Sequence, residues 1–267
     1  LSGATNADVT VALSTSGAAT EGTDYTDGSG NIDDIVISAG STTGTVSFTP
    51  SDDSVYEDDE AATIAISSVS GGSATESGTQ TVTITITDNE SAGSVTLAVS
   101  ASSIAENAGS SLTLTATLSS VSDEDVTVSL STSGTATEGT DYTDGSGNID
   151  DITISAGSTT GTVSFTPTDD SLYDAASNET ATIAISGVSG GGASENGTQT
   201  VTITITDNES APTVTLATSA TSIAENSASN LTLTATLSGA TFQDVTVGIG
   251  TSGSATEGTD YTDGSGV

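Results

Sequence analysis

The residues of this sequence that could do chemistry are acidic side chains grouped between predicted strands. Asp169 and Asp170 follow an alternating apolar segment that ends at Phe165, and Asp207 and Glu209 follow a later one. If these strands are antiparallel, their loops meet at one end of a sandwich, where carboxylates repel one another unless a cation lies between them. The acids grouped in this way are Glu106, Glu138, Asp141, Asp169, Asp170, Asp174, Glu179, Asp207 and Glu209.

Composition narrows the chemistry of these groups. The chain of 267 residues has 36 Asp and Glu and no Lys, Arg, His or Cys, so its formal charge is −36. The commonest general base, the usual zinc ligands and disulfides are therefore absent. The oxygen ligands that remain suit calcium better than a transition metal. We also expect no nucleic-acid binding, because no basic side chain is present, and no membrane insertion, because no apolar run approaches roughly 20 residues.

The sequence repeats itself. The string TEGTDYTDGSG occurs three times, around Tyr25, Tyr142 and Tyr261, and TVTITITDNE occurs twice, ending at Glu90 and Glu209. From these spacings we predict three domains: residues 1–90 without the first strands of the repeat, 91–209 complete, and 210–267 without its C-terminal part. Because residues 237–267 match residues 1–31, both ends of the chain fall inside a repeat. We therefore expect a longer tandem array.

The elements that must position the acids are β-strands. Apolar residues alternate with Thr or Ser, a pattern that places one face of a strand on a core and the other in water. Clusters of Gly, Asp, Asn and Ser separate these segments, as turns do in an all-β sandwich. We predict about seven antiparallel strands per repeat, packed as two sheets. In the complete repeat the segments are 95–97, 112–118, 126–130, 152–154, 163–165, 183–185 and 201–205.

Four motifs in order along the complete repeat resemble those of a Calx-beta domain. They are the SIAEN segment with Glu106, the Gly-Thr-Asp-Tyr segment with Asp141, the pair Asp169-Asp170 followed by an aromatic residue and further acids, and the acidic triplet ending at Glu209. The resemblance covers the whole repeat. It implies an all-β, immunoglobulin-like antiparallel sandwich that binds several Ca²⁺ ions at one tip.

The resemblance also implies a set of calcium ligands. In the complete repeat they are Glu106, Asp141, Asp169, Asp170, the backbone carbonyl of Leu172, Asp174, Glu179, Asp207, Asn208 and Glu209. In the first repeat they are Asp24, Asp52, Asp53, Val55, Glu57, Glu60, Asp88, Asn89 and Glu90. The third repeat retains Glu225 and Asp260. The triplet is Asp-Asn-Glu where the exchanger domain has three Asp, and two extra residues precede Glu179, so we expect at least one calcium ion per repeat rather than a fixed number.

Simpler interpretations exist for some of these residues. Asp and Asn are ordinary turn residues that bond to their own backbone, and clustered acids also occur on very soluble surfaces. For Glu21, Glu138 and Glu257 we expect solvation rather than calcium binding. Tyr25, Tyr142 and Tyr261 are predicted to be packed corner residues.

These features favour a structural function. Near-identical sandwiches joined by short linkers predict an extended extracellular or cell-surface stalk, adhesin or filament, stiffened by calcium at the domain tips and in contact with neighbouring repeats of the same chain. The alternatives are a calcium-sensing regulatory module and a fibre in which identical chains assemble head to tail. An enzyme is not expected, because each carboxylate recurs with the repeat and the chain has no aromatic sugar-binding platform.

Overall fold

Strands and turns make up the part of the chain that the computed structural model describes, residues 1–174 and 178–263, and no helix occurs there. No membrane-spanning helix is found within these residues. The strands of the first repeat are β1 Val9–Gly17, β2 Tyr25–Thr26, β3 Ile35–Ile37, β4 Thr49–Pro50, β5 Val55–Tyr56, β6 Glu60–Ser70 and β7 Thr81–Ile86. Those of the second are β8 Ser94–Val99, β9 Ser103–Ala105, β10 Leu112–Leu118, β11 Val121–Ser122, β12 Val126–Gly134, β13 Tyr142–Thr143, β14 Ile152–Ile154, β15 Thr160–Pro167, β16 Leu172–Tyr173, β17 Glu179–Ser189, β18 Ser194–Glu195 and β19 Thr200–Thr206. The third contributes β20 Val214–Thr218, β21 Leu233–Leu237 and β22 Ala240–Thr241.

The second repeat is a sandwich of two five-stranded sheets, which confirms the predicted all-β fold. One sheet has the order β13-β15-β10-β8-β18 and the other has the order β14-β12-β17-β19-β9. All seven predicted segments lie in strands. Two edge pairs differ from the antiparallel expectation, because β9 runs parallel to β19 and β18 runs parallel to β8. Residues 100–102 connect β8 in one sheet to β9 in the other.

The core lies between these two sheets. Leu114 and Phe165 from one sheet and Val128, Ile183 and Ile203 from the other are fully buried. Nearly all of their neighbours along each strand are Thr or Ser, the exception being Ala184 beside Ile183, so the alternating sequence separates the buried face from the exposed one.

The first repeat contains a four-stranded sheet in the order β3-β1-β6-β7, which corresponds to β14-β12-β17-β19 of the second repeat. Tyr25 stacks on Phe48 and Tyr142 stacks on Phe165, each with ring centroids 4.6 Å apart. The packing predicted for these two tyrosines is therefore present. Tyr261 differs, since 37% of its surface is exposed.

A close approach of backbone to backbone brings the Asp141 turn beside β17. The Thr180 carbonyl accepts hydrogen bonds from the Thr135 and Ala136 N–H groups at 2.9 and 3.0 Å. Gly134, at the end of β12, has a φ of 126°, and a Cβ atom there would lie 2.0 Å from the Thr180 oxygen. Only glycine fits this position, which places the turn carrying Asp141 next to the start of β17.

Consecutive repeats contact each other through short parallel bridges. β5 of the first repeat pairs with β11 of the second, and β16 of the second pairs with β22 of the third. Both bridges use the segment that directly follows a predicted Asp-Asp ligand pair.

We predict that Gly134→Ala lowers the free energy of unfolding by about 2 kcal/mol or more, because the side chain meets the Thr180 carbonyl and the positive φ disfavours alanine. Denaturant unfolding followed by circular dichroism measures the change. Gly187→Ala is the matched control, since a Cβ atom there contacts nothing within 4 Å and the first repeat has Ser68 at that position. Equal losses in the two variants would contradict the close approach.

Candidate metal centre

The acids of the second repeat converge because the strands that carry them end on the same side of the sandwich. Glu179, the first residue of β17, pairs with Ile205 of β19, so Asp207 lies two residues beyond that pair. Glu106 follows β9, which runs parallel to β19 and ends beside it. The Glu106 N–H donates to the Thr206 carbonyl at 3.1 Å. Strand register therefore brings three carboxylates from distant parts of the sequence to one end.

The Asp141 turn is tied to the neighbouring acidic loop. The Asp141 main-chain carbonyl accepts a hydrogen bond from the Thr168 N–H at 2.9 Å, which places the turn next to the segment carrying Asp170. The Asp141 side chain accepts one from the Thr137 N–H at 2.6 Å. The next residue, Tyr142, is buried against the core, so a packed aromatic ring anchors the turn.

Glu106, Asp207 and Glu209 form the tightest group at this end, with carboxylate oxygens within 4.8 Å of one another. Asp207 accepts hydrogen bonds at 3.0 Å from the N–H groups of Glu209 and Asp174. Burial opposes its ionisation, but these hydrogen bonds outweigh burial and hold the pKa of Asp207 below its usual value. Asp207 is therefore a fixed negative charge at the centre of the group.

Two glutamates at this end have strongly raised pKa values. Burial, followed by a hydrogen bond shared with Glu209, raises the pKa of Glu106 to about 7. Burial, followed by the negative charge of Asp141, raises the pKa of Glu179 to about 7. Both shifts have the same cause, because negatively charged side chains lie close together in a partly desolvated place.

A cavity of about 160 Å³ opens between these side chains. Its acidic lining is supplied by Glu106, Asp141, Asp170, Asp174, Glu179 and Asp207. These six residues together with Glu209 are called the second tip below. They come from four separate loops and strand ends and together offer the several carboxylate oxygens that a calcium ion takes.

The first repeat builds an equivalent group, called the first tip. Carboxylate oxygens of Asp24, Glu57 and Glu60 lie within 4.8 Å of one another. Asp24 is held as Asp141 is, by a hydrogen bond of 2.5 Å from the Thr20 N–H to its side chain and one of 2.9 Å from the Ser51 N–H to its carbonyl. Burial and then the charge of Asp53 raise the pKa of Glu57.

The closing triplet completes the first tip. Asp88 accepts hydrogen bonds from the Glu57 and Glu90 N–H groups, both at 3.3 Å. A hydrogen bond with Asp88 and then burial raise the pKa of Glu90, and the charge of Asp52 adds to them. The first tip thus comprises Asp24, Asp52, Asp53, Glu57, Glu60, Asp88 and Glu90.

One acid of each Asp-Asp pair shapes the backbone of its own loop. Asp53 accepts a hydrogen bond of 2.7 Å from the Val55 N–H, and Asp170 accepts one of 2.6 Å from the Leu172 N–H. Each turn leads directly into the strand that bridges to the next repeat. Leu172 lines the second-tip cavity, as expected of a residue that would offer its carbonyl, and Val55 is half-buried in β5.

Several predicted ligands are exposed and are not among the clustered carboxylates of the two tips. Asn89 and Asn208 are exposed because alternation turns the middle residue of each triplet away from its neighbours, and the Asn208 amide donates to Glu209 at 2.8 Å. Asp169 is exposed and is absent from the cavity lining. Glu225 and Asp260 are exposed and join no metal-sized acidic group within residues 1–174 and 178–263.

The residues of the tips fit a calcium ion. Glu209 Oε2 is buried, and none of the residues described here donates a hydrogen bond to it. A carboxylate oxygen in that state is unfavourable unless a cation is bound. Every side chain in both tips offers a carboxylate oxygen as its metal ligand, and this is the ligand type that calcium prefers. When bound, the ion supplies positive charge that no side chain of this sequence can provide.

Some residues have functions that the sequence did not reveal. Glu138 accepts hydrogen bonds from the Ile149 N–H at 2.6 Å and the Thr132 hydroxyl at 2.8 Å, so it closes a turn rather than pointing into solvent. Glu21 bonds to the Ile32 N–H and the Thr15 hydroxyl in the same way. The negative charge of Asp123, from the second repeat, acts on Glu57 and Glu60 of the first tip, and no spacing within one repeat could have predicted this.

Comparison with known proteins assigns a family. The family model described as the Calx-beta domain matches residues 1–90, 88–209 and 207–267. Similar solved structures include CBD12 from CALX1.2, at 19% identity over 70% of this chain and 70% of that chain with a TM-score of 0.28. Another is the calcium binding domain CBD12 of CALX1.1, at 18% identity over 68% and 69% of the two chains with a TM-score of 0.26. No curated protein matches the chain.

The raised pKa values of Glu106 and Glu179 predict a characteristic pH dependence. In chelator, the unfolded chain loses these protons near pH 4.5 whereas the folded chain keeps them until about pH 7, so stability falls as the pH rises through this window. In millimolar Ca²⁺ the ionised carboxylates bind the ion, so the stabilisation by calcium grows across the same window. Thermal unfolding between pH 4.5 and 8, with and without calcium, measures both effects.

The control separates the tip from the overall charge of the chain. The double variant Glu106→Gln, Glu179→Gln is expected to flatten the pH dependence in chelator. Glu195→Gln, in β18 of the same repeat, should leave it unchanged, because the amide oxygen can still accept the 2.6 Å hydrogen bond from the Gln199 N–H. The assignment is wrong if both variants follow the parent curve.

Proposed function

The chain belongs to the Calx-beta domain family, and we propose that its repeats form an extended extracellular spacer whose joints are stiffened by calcium. The family match and the acidic clusters together confirm the prediction that calcium is the cofactor and that the chain is an array of calcium-binding repeats. The spacer, its location outside the cell and its mechanical role constitute the proposal.

One observation supports the mechanical role above all others. The segment that supplies carboxylates to each tip is also the segment that bridges to the next repeat. In the first repeat, β5 lies between Asp53 and Glu57 and pairs with β11. In the second repeat, β16 lies between Asp170 and Asp174 and pairs with β22. An ion that fixes these carboxylates therefore fixes the strand that joins the repeats.

Electrostatic repulsion gives the ion its effect on the joint. Without a cation, the acids of a tip repel one another across a partly buried cavity and oppose the conformation that holds the bridging strand in place. Bound calcium reverses the sign of this interaction. Because a bridge has only two residue pairs, its own hydrogen bonds hold the joint weakly, and the ion decides whether it is ordered.

The linker between the first two repeats is short and anchored. The Ser94 N–H donates to the Ser119 hydroxyl at 2.8 Å, and the Ser120 hydroxyl donates to the Ser91 carbonyl at 3.1 Å. Gly93 packs so closely on Leu118 that a Cβ atom would lie 2.6 Å from it. A linker held in this way leaves little freedom for bending except at the tip, where calcium acts.

Tyr56 adds a packed contact to the same joint. A Cβ atom on Gly192 would lie only 2.6 Å from the Tyr56 hydroxyl oxygen. The Tyr56 ring of the first repeat therefore packs on a glycine of the second. The equivalent position in the first repeat is Ser73, whose φ of 56° matches the 57° of Gly192. The fold of the repeat therefore accepts serine at this position. Glycine at 192 is needed because a larger residue would collide with Tyr56 of the preceding repeat.

The remaining parts of the proposal rest on chemistry. Extracellular calcium is millimolar, a concentration that fills even weak acidic sites, which favours a location outside the cell. Each tip repeats the same carboxylates, and the array supplies no different partner group, so we assign these acids to calcium binding rather than to catalysis. A regulatory module, or a fibre of identical chains, would give different results in the experiment below.

We predict that calcium extends and stiffens the chain. Small-angle X-ray scattering in millimolar Ca²⁺ should give a larger maximum dimension and a narrower distribution of shapes than scattering in chelator. The double variant Asp24→Asn, Glu60→Gln should lose this response at the first joint, because two of the three closest carboxylates are neutralised. Glu76→Gln, whose amide can still accept the 2.8 Å hydrogen bond from the Gln80 N–H, is the matched control.

A further variant tests the joint without removing a carboxylate. Gly192→Ser should loosen the first joint in calcium while leaving the unfolding midpoint of the sandwich within a few degrees of the parent, because it displaces Tyr56 of the preceding repeat. The spacer proposal fails if the parent chain scatters identically with and without calcium. A calcium-dependent rise in mass would favour the fibre, and a change of shape without extension would favour the regulatory module.

A further inference from the structure

The register of the first bridge places an acid of the second repeat beside the first tip. Val55 pairs with Val121 and Tyr56 pairs with Ser122. The next residue of each strand is Glu57 and Asp123, and the Asp123 N–H donates to the Tyr56 carbonyl at 3.2 Å. Neighbours in a parallel pair lie about 5 Å apart and project their side chains to the same side. Asp123 therefore stands next to a residue of the closest carboxylate group of the first tip.

The electrostatics of the tip include this residue. Burial and then the charge of Glu124 raise the pKa of Asp123, and the charges of Asp58 and Asp88 add to them. Asp123 in turn contributes to the raised pKa of Glu57, after burial and the nearer acids. It does the same for Glu60. An acid from one repeat and a tip from another thus behave as one group of interacting charges.

The second bridge has the same backbone but a different side chain at this position. Leu172 pairs with Ala240 and Tyr173 pairs with Thr241, and the Phe242 N–H donates to the Tyr173 carbonyl at 3.1 Å. Phe242 lines the second-tip cavity, yet 71% of its surface is exposed. A phenyl ring offers no oxygen to a calcium ion. The two joints are therefore equivalent in backbone and different in their capacity to bind the ion.

We propose that Asp123 is a calcium ligand that the second repeat supplies to the first tip, and that Phe242 removes this ligand from the second joint. This inference rests on the proposed function, since it assumes that calcium occupies the tips. Its consequence is that calcium at the first tip bridges two repeats directly, whereas calcium at the second tip is held by one repeat. The first joint then becomes rigid at a lower calcium concentration than the second, and a single side chain sets the stiffness of each joint.

The test uses the full chain and two reciprocal substitutions. Asp123→Asn keeps the shape of the side chain and the backbone hydrogen bond but removes a charge. Isothermal titration with CaCl₂ should show at least about a tenfold loss of affinity at the first tip. Phe242→Asp should strengthen calcium binding at the second tip by a similar factor. Asp33→Asn is the charge-matched control, because Asp33 is exposed and belongs to neither tip.

Rigidity gives a second readout that does not depend on affinity alone. With spectroscopic labels placed on the first and second repeats, Asp123→Asn should require about tenfold more calcium to reach the ordered distance distribution, and Asp33→Asn should require no more than the parent. Labels on the second and third repeats should report the opposite change in Phe242→Asp.

The outcomes separate this inference from the function on which it rests. If the parent chain orders with calcium and Asp123→Asn orders at the same concentration with the same affinity, the bridging ligand is wrong and the stiffened spacer stands. If the parent chain does not order at all, the proposed function itself is wrong. An unchanged affinity in Phe242→Asp would also overturn the bridging ligand, because that position would then not face the ion.

Discussion

The structure depends on one constraint: carboxylates are concentrated at the ends of the sandwiches in a chain that has no basic side chain to balance them. The sheets leave no choice about this, because the register of β9, β17 and β19 fixes Glu106, Glu179 and Asp207 on one side. Backbone N–H groups stabilise some of these charges, as they do for Asp207, but they do not reach all of them. Three carboxyl groups are not stabilised in this way: Glu106 and Glu179 have raised pKa values, and Glu209 has a buried oxygen without a hydrogen-bond donor among the described residues. A bound divalent cation stabilises the ionised form of all three.

The same constraint explains why the joints between repeats lie at the tips. In the loop that follows each Asp-Asp pair, an Asp side chain accepts a hydrogen bond from a backbone N–H group and so forms a turn. The chain then forms a two-residue strand, which pairs with the next repeat, before it reaches the further acids of the tip. A bridge of this size contributes little alone. Under the proposed function, calcium bound at a tip orders the bridge through the acidic loop that is continuous with it.

Much of the fold could be predicted from the sequence, because alternation with period two depends only on neighbouring residues. The strand from Leu112 to Leu118 shows this directly. The packing of Tyr25 and Tyr142 was also predicted, whereas Tyr261 is exposed. The carboxylates around Asp141 and Glu179 could also be predicted, since the family motifs mark them.

The outward direction of Asn208 was not predicted, because it depends on the pleat beyond the end of β19. Glu138 looked like a solvated acid because its partners, Ile149 and Thr132, are visible only after the turn has folded. Asp123 belongs to a third class, for it meets its neighbours across two repeats.

Calcium held by the carboxylates of the two tips is the premise on which the stiffening of the joints depends. The most direct measurement is a crystal structure of the full chain grown in millimolar calcium, with the ions located by anomalous scattering. We predict peaks within about 2.3–2.6 Å of carboxylate oxygens of Asp24, Glu57 and Glu60 and of Glu106, Asp207 and Glu209. Ordered tips without anomalous density at either group, in crystals that contain calcium, would show that these carboxylates do not bind the ion.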